Sequence, residues 1–276
     1  MDKKVIIITG ASSGFGLTTA ELLASQGHKV YGICRREIQH QHIAFIQCDV
    51  RDTETITLKI KEIYEKEGRI DVLINNAGMG IGGALELATE EEIDIQMNIN
   101  FRGCVNMCQK VLPYMRRQRQ GKIINLSSIG GIIGLPYQGY YSASKFAIEG
   151  FSEALSAEVK GFGISVSIVE PGDFATNFTA NRKNSEQTLN DPDYGPIFKK
   201  SLKLIENEES KGLNPDIVAK KILNIVNSKH SRLRYVVANF EQHASVLLKK
   251  LIPGNWFVDI IMDYYKTKPK KQIGDK

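Results

Sequence analysis

Tyr141-Ser-Ala-Ser-Lys145 is the arrangement in this sequence that points most directly to proton chemistry. On a helix, residues four apart share a face. A free tyrosine titrates near about 10, too high to exchange protons usefully at neutrality. A neighbouring ammonium favours the phenolate and lowers that value. Tyr141 is therefore a candidate general acid/base tuned by Lys145, which could also donate to ribose hydroxyls. Tyr137 and Tyr140 stand at the wrong spacing for the pair. Alone, a Tyr-x-x-x-Lys helix is common and usually structural.

A second arrangement is the turn Thr9-Gly10-Ala-Ser12-Ser13-Gly14-Phe15-Gly16, between an apolar strand and a helix. Glycines there let backbone approach a pyrophosphate, and the helix N-terminus presents free N–H groups to it. The spacing is Gly-x-x-x-Gly-x-Gly rather than the usual Gly-x-Gly-x-x-Gly. A turn at Asn75-Asn76-Ala77-Gly78 follows the fourth strand and belongs at the same edge of a doubly wound sheet. An acid about 20 positions after the glycines would grip a ribose 2′-hydroxyl. Cys34 stands there instead, followed by Arg35 and Arg36. Arginine suits a 2′-phosphate, so the expected cofactor is NADP(H), with NAD(H) the second choice. Asp49, with Val50 beside it, follows the third strand. It could accept from an adenine amino group or cap the next helix.

Short apolar runs alternating with helical patterns supply the frame. Residues 5–9, 30–34, 43–48, 71–75, 122–126, 164–169 and 234–237 are expected strands. Residues 15–26, 53–66, 90–119 (with a break near Gly103), 141–160 and 215–227 are expected helices. That alternation predicts an α/β, doubly wound Rossmann domain with a seven-stranded, mostly parallel sheet over residues 1–240. The polar stretch 174–213 breaks the rhythm and is expected to be an irregular substrate loop. Residues 241–276 are expected to form a helical extension with a basic tail.

Composition narrows the class. The 276 residues are 42% hydrophobic and 24% charged, which excludes disordered, collagen-like and disulfide-scaffold chains. A net charge of +5 is too weak to suggest nucleic acid. Arg116, Arg117, Arg119 and Lys122 are expected to be a solvated helix end. Cys34, Cys48, Cys104 and Cys108 read as small buried side chains, and no metal site is expected. The N-terminus has no signal-like apolar run, and nothing approaches a membrane span, so a cytoplasmic protein is expected.

Ser127-Ser128 closes the fifth strand, Asn100 lies in the preceding helix, and Pro171-Gly172 with Thr176 closes the sixth. Together with Gly10–Gly16, Asn75–Gly78, Tyr141 and Lys145, these resemble the short-chain dehydrogenase/reductase family over about residues 3–240. The resemblance implies a hydride-transferring oxidoreductase. Ser128 would hold the substrate oxygen, and Tyr141 would exchange its proton. Lys145 would lower the tyrosine pKa and hold the nicotinamide ribose. Asn100 would anchor a relay water, and Thr176 with the backbone near Gly172 would hold the carboxamide. The family also implies a homodimer or homotetramer through the helices near 101–119 and 141–160. A non-catalytic NADP-binding sensor or scaffold is the alternative, and intact Tyr141 and Lys145 count against it.

Gly130-Gly-Ile-Ile-Gly-Leu-Pro136 is similar to the corresponding segment of hydroxysteroid and retinol dehydrogenases. With the C-terminal extension, it suggests an apolar ketone or alcohol: a steroid, a retinoid or a long-chain 3-keto lipid such as 3-ketosphinganine. Residues 241–276 carry seven Lys and four Asp or Glu. Their apolar pieces could pack on the body or a partner subunit, cover the substrate pocket, or make peripheral membrane contact.

Overall fold

Val5–Thr9 (β1) is buried along its whole length, as a parallel strand covered by helices on both faces must be. The computed structural model describes residues 2–176 and 178–268. The further strands are β2 (Lys29–Cys34), β3 (Ile43–Gln47), β4 (Val72–Asn75), the short β5 (Ile81–Gly82), β6 (Gly121–Leu126), β7 (Ile164–Pro171), the short β8 (Lys183–Asn184) and β9 (Arg234–Val237). The α-helices are α1 (Gly14–Ser25), α2 (Thr53–Glu67), α3 (Glu90–Met97), α4 (Gly103–Gln118), α5 (Gly139–Val159), α6 (Phe178–Asn181), α7 (Glu186–Asn190), α8 (Tyr194–Ser210), α9 (Asp216–Asn227), α10 (Phe240–Leu251) and α11 (Gly254–Tyr264).

Seven strands form one sheet in the order β3-β2-β1-β4-β6-β7-β9, with every neighbouring pair parallel. Side chains alternate between its faces. Ile7, Leu73 and Ile123 pack with buried residues of α2, α4 and α5, whereas Ile6, Ile8, Ile74 and Ile124 pack with those of α1 and α9. Each such fully buried aliphatic contributes about 1.5–3 kcal/mol relative to exposure. The chain leaves β1 toward β2 on one side and returns at β4 on the other. This opens the switch-point crevice at the carboxyl ends of β1 and β4.

The seven-stranded sheet and flanking helices match expectation, with ends shifted by a few residues. The expected break near Gly103 is a wide π turn, Asn98–Arg102, between α3 and α4. Gly103 is needed where α4 meets the loop after β3, because a Cβ would stand 2.6 Å from Val50 Cγ2.

The expected irregular loop at 174–213 is a correction. It holds α6, α7 and the 17-residue α8, which buries Phe198, Ser201 and Ile205. Its polar residues occupy the outer face of α8, and that masks the helical period. β5 pairs with β8, tying this segment to residues 81–82. Val246 of α10 and Phe257 of α11 cluster with Ile133, so the C-terminal helices cover the segment after Ser128. Their outer faces leave Phe240 86%, Leu251 72% and Trp256 66% exposed. None of the described helices is long and apolar enough to cross a membrane. The expected basic tail, with Lys270, Lys271 and Lys276, lies outside the described residues.

Candidate active site

The glycine turn is held from below. Thr9 Oγ1 accepts from the backbone N–H groups of Asn76 and Ala77, both at 3.0 Å. Asn76 Nδ2 donates to the carbonyls of Thr9 and Gly10 at 2.9 and 3.2 Å. The two turns are thus one unit, and the Asn76 side chain is committed to building it. Gly10 has φ +66°, and a Cβ at Gly16 would stand 2.3 Å from Gly10 O. Gly16 is therefore a close-approach residue rather than part of the cavity wall. Gly10, Ser12, Ser13, Gly14 and Phe15 do line the cavity. Ser13 makes no side-chain cap to α1, and the first turn of α1 carries no acid, which leaves the positive end of the helix open to an anion.

Arg35 and Arg36 leave the end of β2 beside this turn, exposed, and line the same cavity. Arg36 Nη2 donates to the Ser12 carbonyl at 3.2 Å. Asp49 does not cap α2, since Asp52 accepts from the N–H groups of Glu54 and Thr55. The Asp49 carboxylate instead takes the Arg51 side chain at 2.7 and 3.1 Å. That hydrogen-bonded guanidinium holds its pKa below the usual value. Val50 lines the cavity beside it. This donor and acceptor set fits a dinucleotide with an anionic group near Arg35 and Arg36.

At the other end of the crevice, α5 delivers Tyr141 and Lys145. Its position is set by a buried chain in which Asn75 Nδ2 donates to Asn125 Oδ1 (2.9 Å) and Asn125 Nδ2 donates to Ser152 Oγ (2.8 Å). Lys145 Nζ donates to the Leu126 carbonyl at 2.8 Å and lies 5.8 Å from the centre of the Tyr141 ring. Ser128 Oγ accepts from Gly130 N at 3.0 Å. Asn100 sits in the π turn behind the cavity wall, where its amide exchanges hydrogen bonds with the Met79 backbone at 2.9 and 3.0 Å. A Cβ at Gly78 would stand 3.5 Å from Asn100 Oδ1 and 3.7 Å from Lys145 Nζ, so these three meet.

The Tyr141 pKa lies above its usual value rather than below it, because burial outweighs the groups that lower it. Burial pushes Tyr141 up to about 12, with the Ser128 hydrogen bond pulling the other way. Burial also drives Lys145 down to about 8. Desolvation wins where Phe178 of α6 packs against the Tyr141 ring, 5.7 Å between centres, and the Lys145 ammonium is turned toward Leu126 O.

Pro171, Gly172 and Thr176 line the crevice between the two ends. They share one cavity of about 1270 Å³ with the glycine turn, Arg35, Arg36, Asp49, Ser128, Tyr141 and Lys145. Beyond Tyr141 its wall is largely apolar, with Leu135, Leu204, Leu248, Phe257 and Ile261. Of the three roles open to the C-terminal helices, the structure shows them packed on the body and covering the cavity. Sequence reasoning missed Thr9, Met79, Ser144 and Gln242. Thr9 was legible as the last strand residue before the glycines. The others act through contacts distant in sequence. Gln242 donates to Asp173 Oδ2 at 2.6 Å, and a Cβ at Gly172 would stand 2.0 Å from its Oε1.

The short chain dehydrogenase family model matches residues 4–187. A 3-ketodihydrosphingosine reductase of Bacteroides thetaiotaomicron is 52% identical over 265 residues, covering 96% of this chain and 97% of that protein. Human 17-beta-hydroxysteroid dehydrogenase type 1 is 33% identical over 257 residues, covering 85% of this chain and 77% of that protein. The crystal structure of a short-chain dehydrogenase from Streptomyces avermitilis superposes with a TM-score of 0.81 at 31% identity, covering 97% of each chain. The chain belongs to the short-chain dehydrogenase/reductase family and is an oxidoreductase acting on CH–OH groups.

Proposed function

We propose that this chain reduces the carbonyl of a long-chain 3-keto lipid to an alcohol with NADPH, using Ser128, Tyr141, Lys145 and Asn100. The observation that carries this reading is the continuity of one cavity, from the glycine turn past Tyr141 into an apolar compartment under α10 and α11. The 3-ketodihydrosphingosine reductase, matched over nearly its whole length, supports the substrate class.

A nicotinamide cofactor held in the crevice supplies the hydride. The chain's residues do the rest. Ser128 Oγ faces the cavity where the carbonyl oxygen would lie and stabilises the charge that develops on it. Tyr141, held protonated by burial, has its proton available to that oxygen. This protonation state favours the reductive direction. The Lys145 ammonium stabilises the phenolate left behind and is placed to donate to ribose hydroxyls. Asn100, one residue behind the wall, holds the Met79 and Ser144 groups that fix this arrangement. Arg35 and Arg36 would take the 2′-phosphate, Asp49 the adenosine end, and Thr176 with the backbone at Gly172 the carboxamide.

We place the enzyme in the cytoplasm as a homodimer or homotetramer joined through α4 and α5. Peripheral membrane contact would use the exposed face of α10, where Phe240, Leu247 and Leu251 lie in one stripe. The test is NADPH and NADH oxidation over a panel of 3-keto lipids, steroids, retinoids and small ketones. Faster turnover with NADPH and a long-chain 3-ketone is expected. Turnover confined to steroids or small ketones would overturn the substrate, and equal use of NADH would overturn the cofactor preference.

A further inference from the structure

The segment after β7 forms the cavity wall between the glycine turn and Tyr141, and it is clamped from several sides. Toward the glycine turn, the Phe174 ring packs edge-on against Phe15, 5.1 Å between centres. From β9, the Val237 carbonyl accepts from Gly172 N at 2.9 Å. Leu213, between α8 and α9, donates its N–H to the Asp173 carbonyl at 3.0 Å and accepts from Ala175 N at 3.1 Å.

The remaining clamp is a side chain. Gln242, in the first turn of α10, accepts from Asp173 N at 3.3 Å and donates to Asp173 Oδ2 at 2.6 Å. A Cβ at Gly172 would stand 2.0 Å from Gln242 Oε1 and 2.7 Å from its Cδ. The amide therefore rests directly on the Gly172 backbone. A primary amide presents a donor and an acceptor side by side, and Asp173 offers the complementary pair, a backbone N–H and a carboxylate. A carboxylate at 242 would face Asp173 with like charge, and a lysine would supply no acceptor. Burial, with Glu209 and Glu208, raises Asp173 to about 6, and the Gln242 hydrogen bond pulls the other way. The contact thus favours the ionised acceptor.

The helix that carries Gln242 is itself fixed. Asn239 Oδ1 caps α10 by accepting from Gln242 N at 2.9 Å. One turn on, Val246 clusters with Ile133 and Phe257, and Ser245 and Leu248 line the cavity. The adenosine end is held by other means: Arg36 donates to the Ser12 carbonyl, and Asp49 takes the Arg51 side chain.

We propose that Gln242 is a positioning residue for the nicotinamide end of the cofactor, acting through Asp173 and Gly172 to fix the wall against which the carboxamide is set. This rests on the reading of Thr176 and the Gly172 backbone as the carboxamide partners, and it names the side chain that holds them in place. The adenosine end does not depend on it.

The test measures binding rather than turnover. NADPH carries the nicotinamide, whereas adenosine 2′,5′-bisphosphate carries only the adenosine end with its 2′-phosphate. Both are titrated calorimetrically into the wild type and the variants. Gln242→Leu keeps the bulk and removes both hydrogen bonds. It should raise the Kd for NADPH about 5- to 30-fold, the value of these two contacts. The Kd for the bisphosphate should change by less than about twofold, because its site shares no partner with Gln242. Gln242→Glu keeps the acceptor but sets a carboxylate against Asp173, so it should weaken NADPH in the same selective way. Adding Asp173→Asn to Gln242→Glu exchanges donor and acceptor across the contact and should recover most of that loss. General loosening of α10 gives no such recovery. Unchanged NADPH affinity in both single variants would overturn the proposal. So would equal weakening of the two ligands, or no recovery in the double variant. Wild-type NADPH binding no tighter than the bisphosphate would overturn the carboxamide reading and the proposal with it. A wild-type preference for NADH would overturn the cofactor choice alone, and the same comparison with NADH and ADP then decides the role of Gln242.

Discussion

Asn100 Nδ2 donates to Ser144 Oγ over 3.0 Å, and that hydroxyl donates to the Tyr141 carbonyl over 2.7 Å. The π turn between α3 and α4 is thereby fastened to the first turn of α5. Without Ser144 the buried Asn100 amide keeps its Met79 acceptor and loses the other. Ser144→Ala is expected to lower stability by about 1–3 kcal/mol, the cost of an unsatisfied buried donor. Urea denaturation measures this, and an unchanged midpoint would show that the link carries no load.

Tyr141→Phe removes the proton donor and little else. Turnover should fall by roughly 10²–10⁴-fold, while NADPH binding, followed by fluorescence, persists. Unchanged turnover would sink the assignment of Tyr141.

Lys145 loses its charge as pH rises through about 8, and with it the stabilisation of the Tyr141 phenolate. The reductive kcat should therefore decline above that pH. A profile that stays flat to pH 10 would remove Lys145 from the proton chemistry.

Arg35→Ala and Arg36→Ala should raise the NADPH KM by roughly 5–100-fold, the value of one or two charge-assisted hydrogen bonds, and leave NADH little affected. Parallel titrations with both cofactors decide this. An equal rise for NADH would mean that the arginines contact a group common to the two.

Burial and the neighbouring Glu149 hold the Glu170 carboxyl above its ordinary value of 4.5, with Arg234 partly offsetting them. The folded state therefore binds this proton more tightly than the unfolded chain. Its stabilising contribution is complete below pH 4.5 and is lost as pH rises through the raised value. Glu170→Gln keeps the shape without the charge, so it should raise Tm at pH 8 and change it little at pH 4.5. A loss of Tm at pH 8 would show that the ionised form is the stabilising one.

Much of the molecule was legible before folding was considered. Parallel strands buried on both faces read as continuous apolar runs, and 5–9, 71–75 and 122–126 stood out for that reason. Gly10, Gly14 and Gly16 between a strand and a helix, and Tyr141 four residues before Lys145, are local in sequence, so spacing alone revealed them. The helix α8 was hidden because only Phe198, Ser201 and Ile205 need be apolar or small on its inner side. The inward role of Gln242 was hidden because its partner Asp173 is 69 residues away.

By itself the sequence determined the alternation of strands and helices, the glycine turn, the paired Tyr141 and Lys145, and the arginines where an acid would select NAD. These depend on residue type and short spacing, which the chain carries before it folds. Tertiary structure alone decided that Asn100 supports the wall instead of lining it, and that Tyr141 is pushed upward rather than down. It also decided that the buried Arg182 pairs with Glu209, 27 residues away. Desolvation and charge gathering depend on which distant segments close over a residue, and here those segments are α8, α10 and α11.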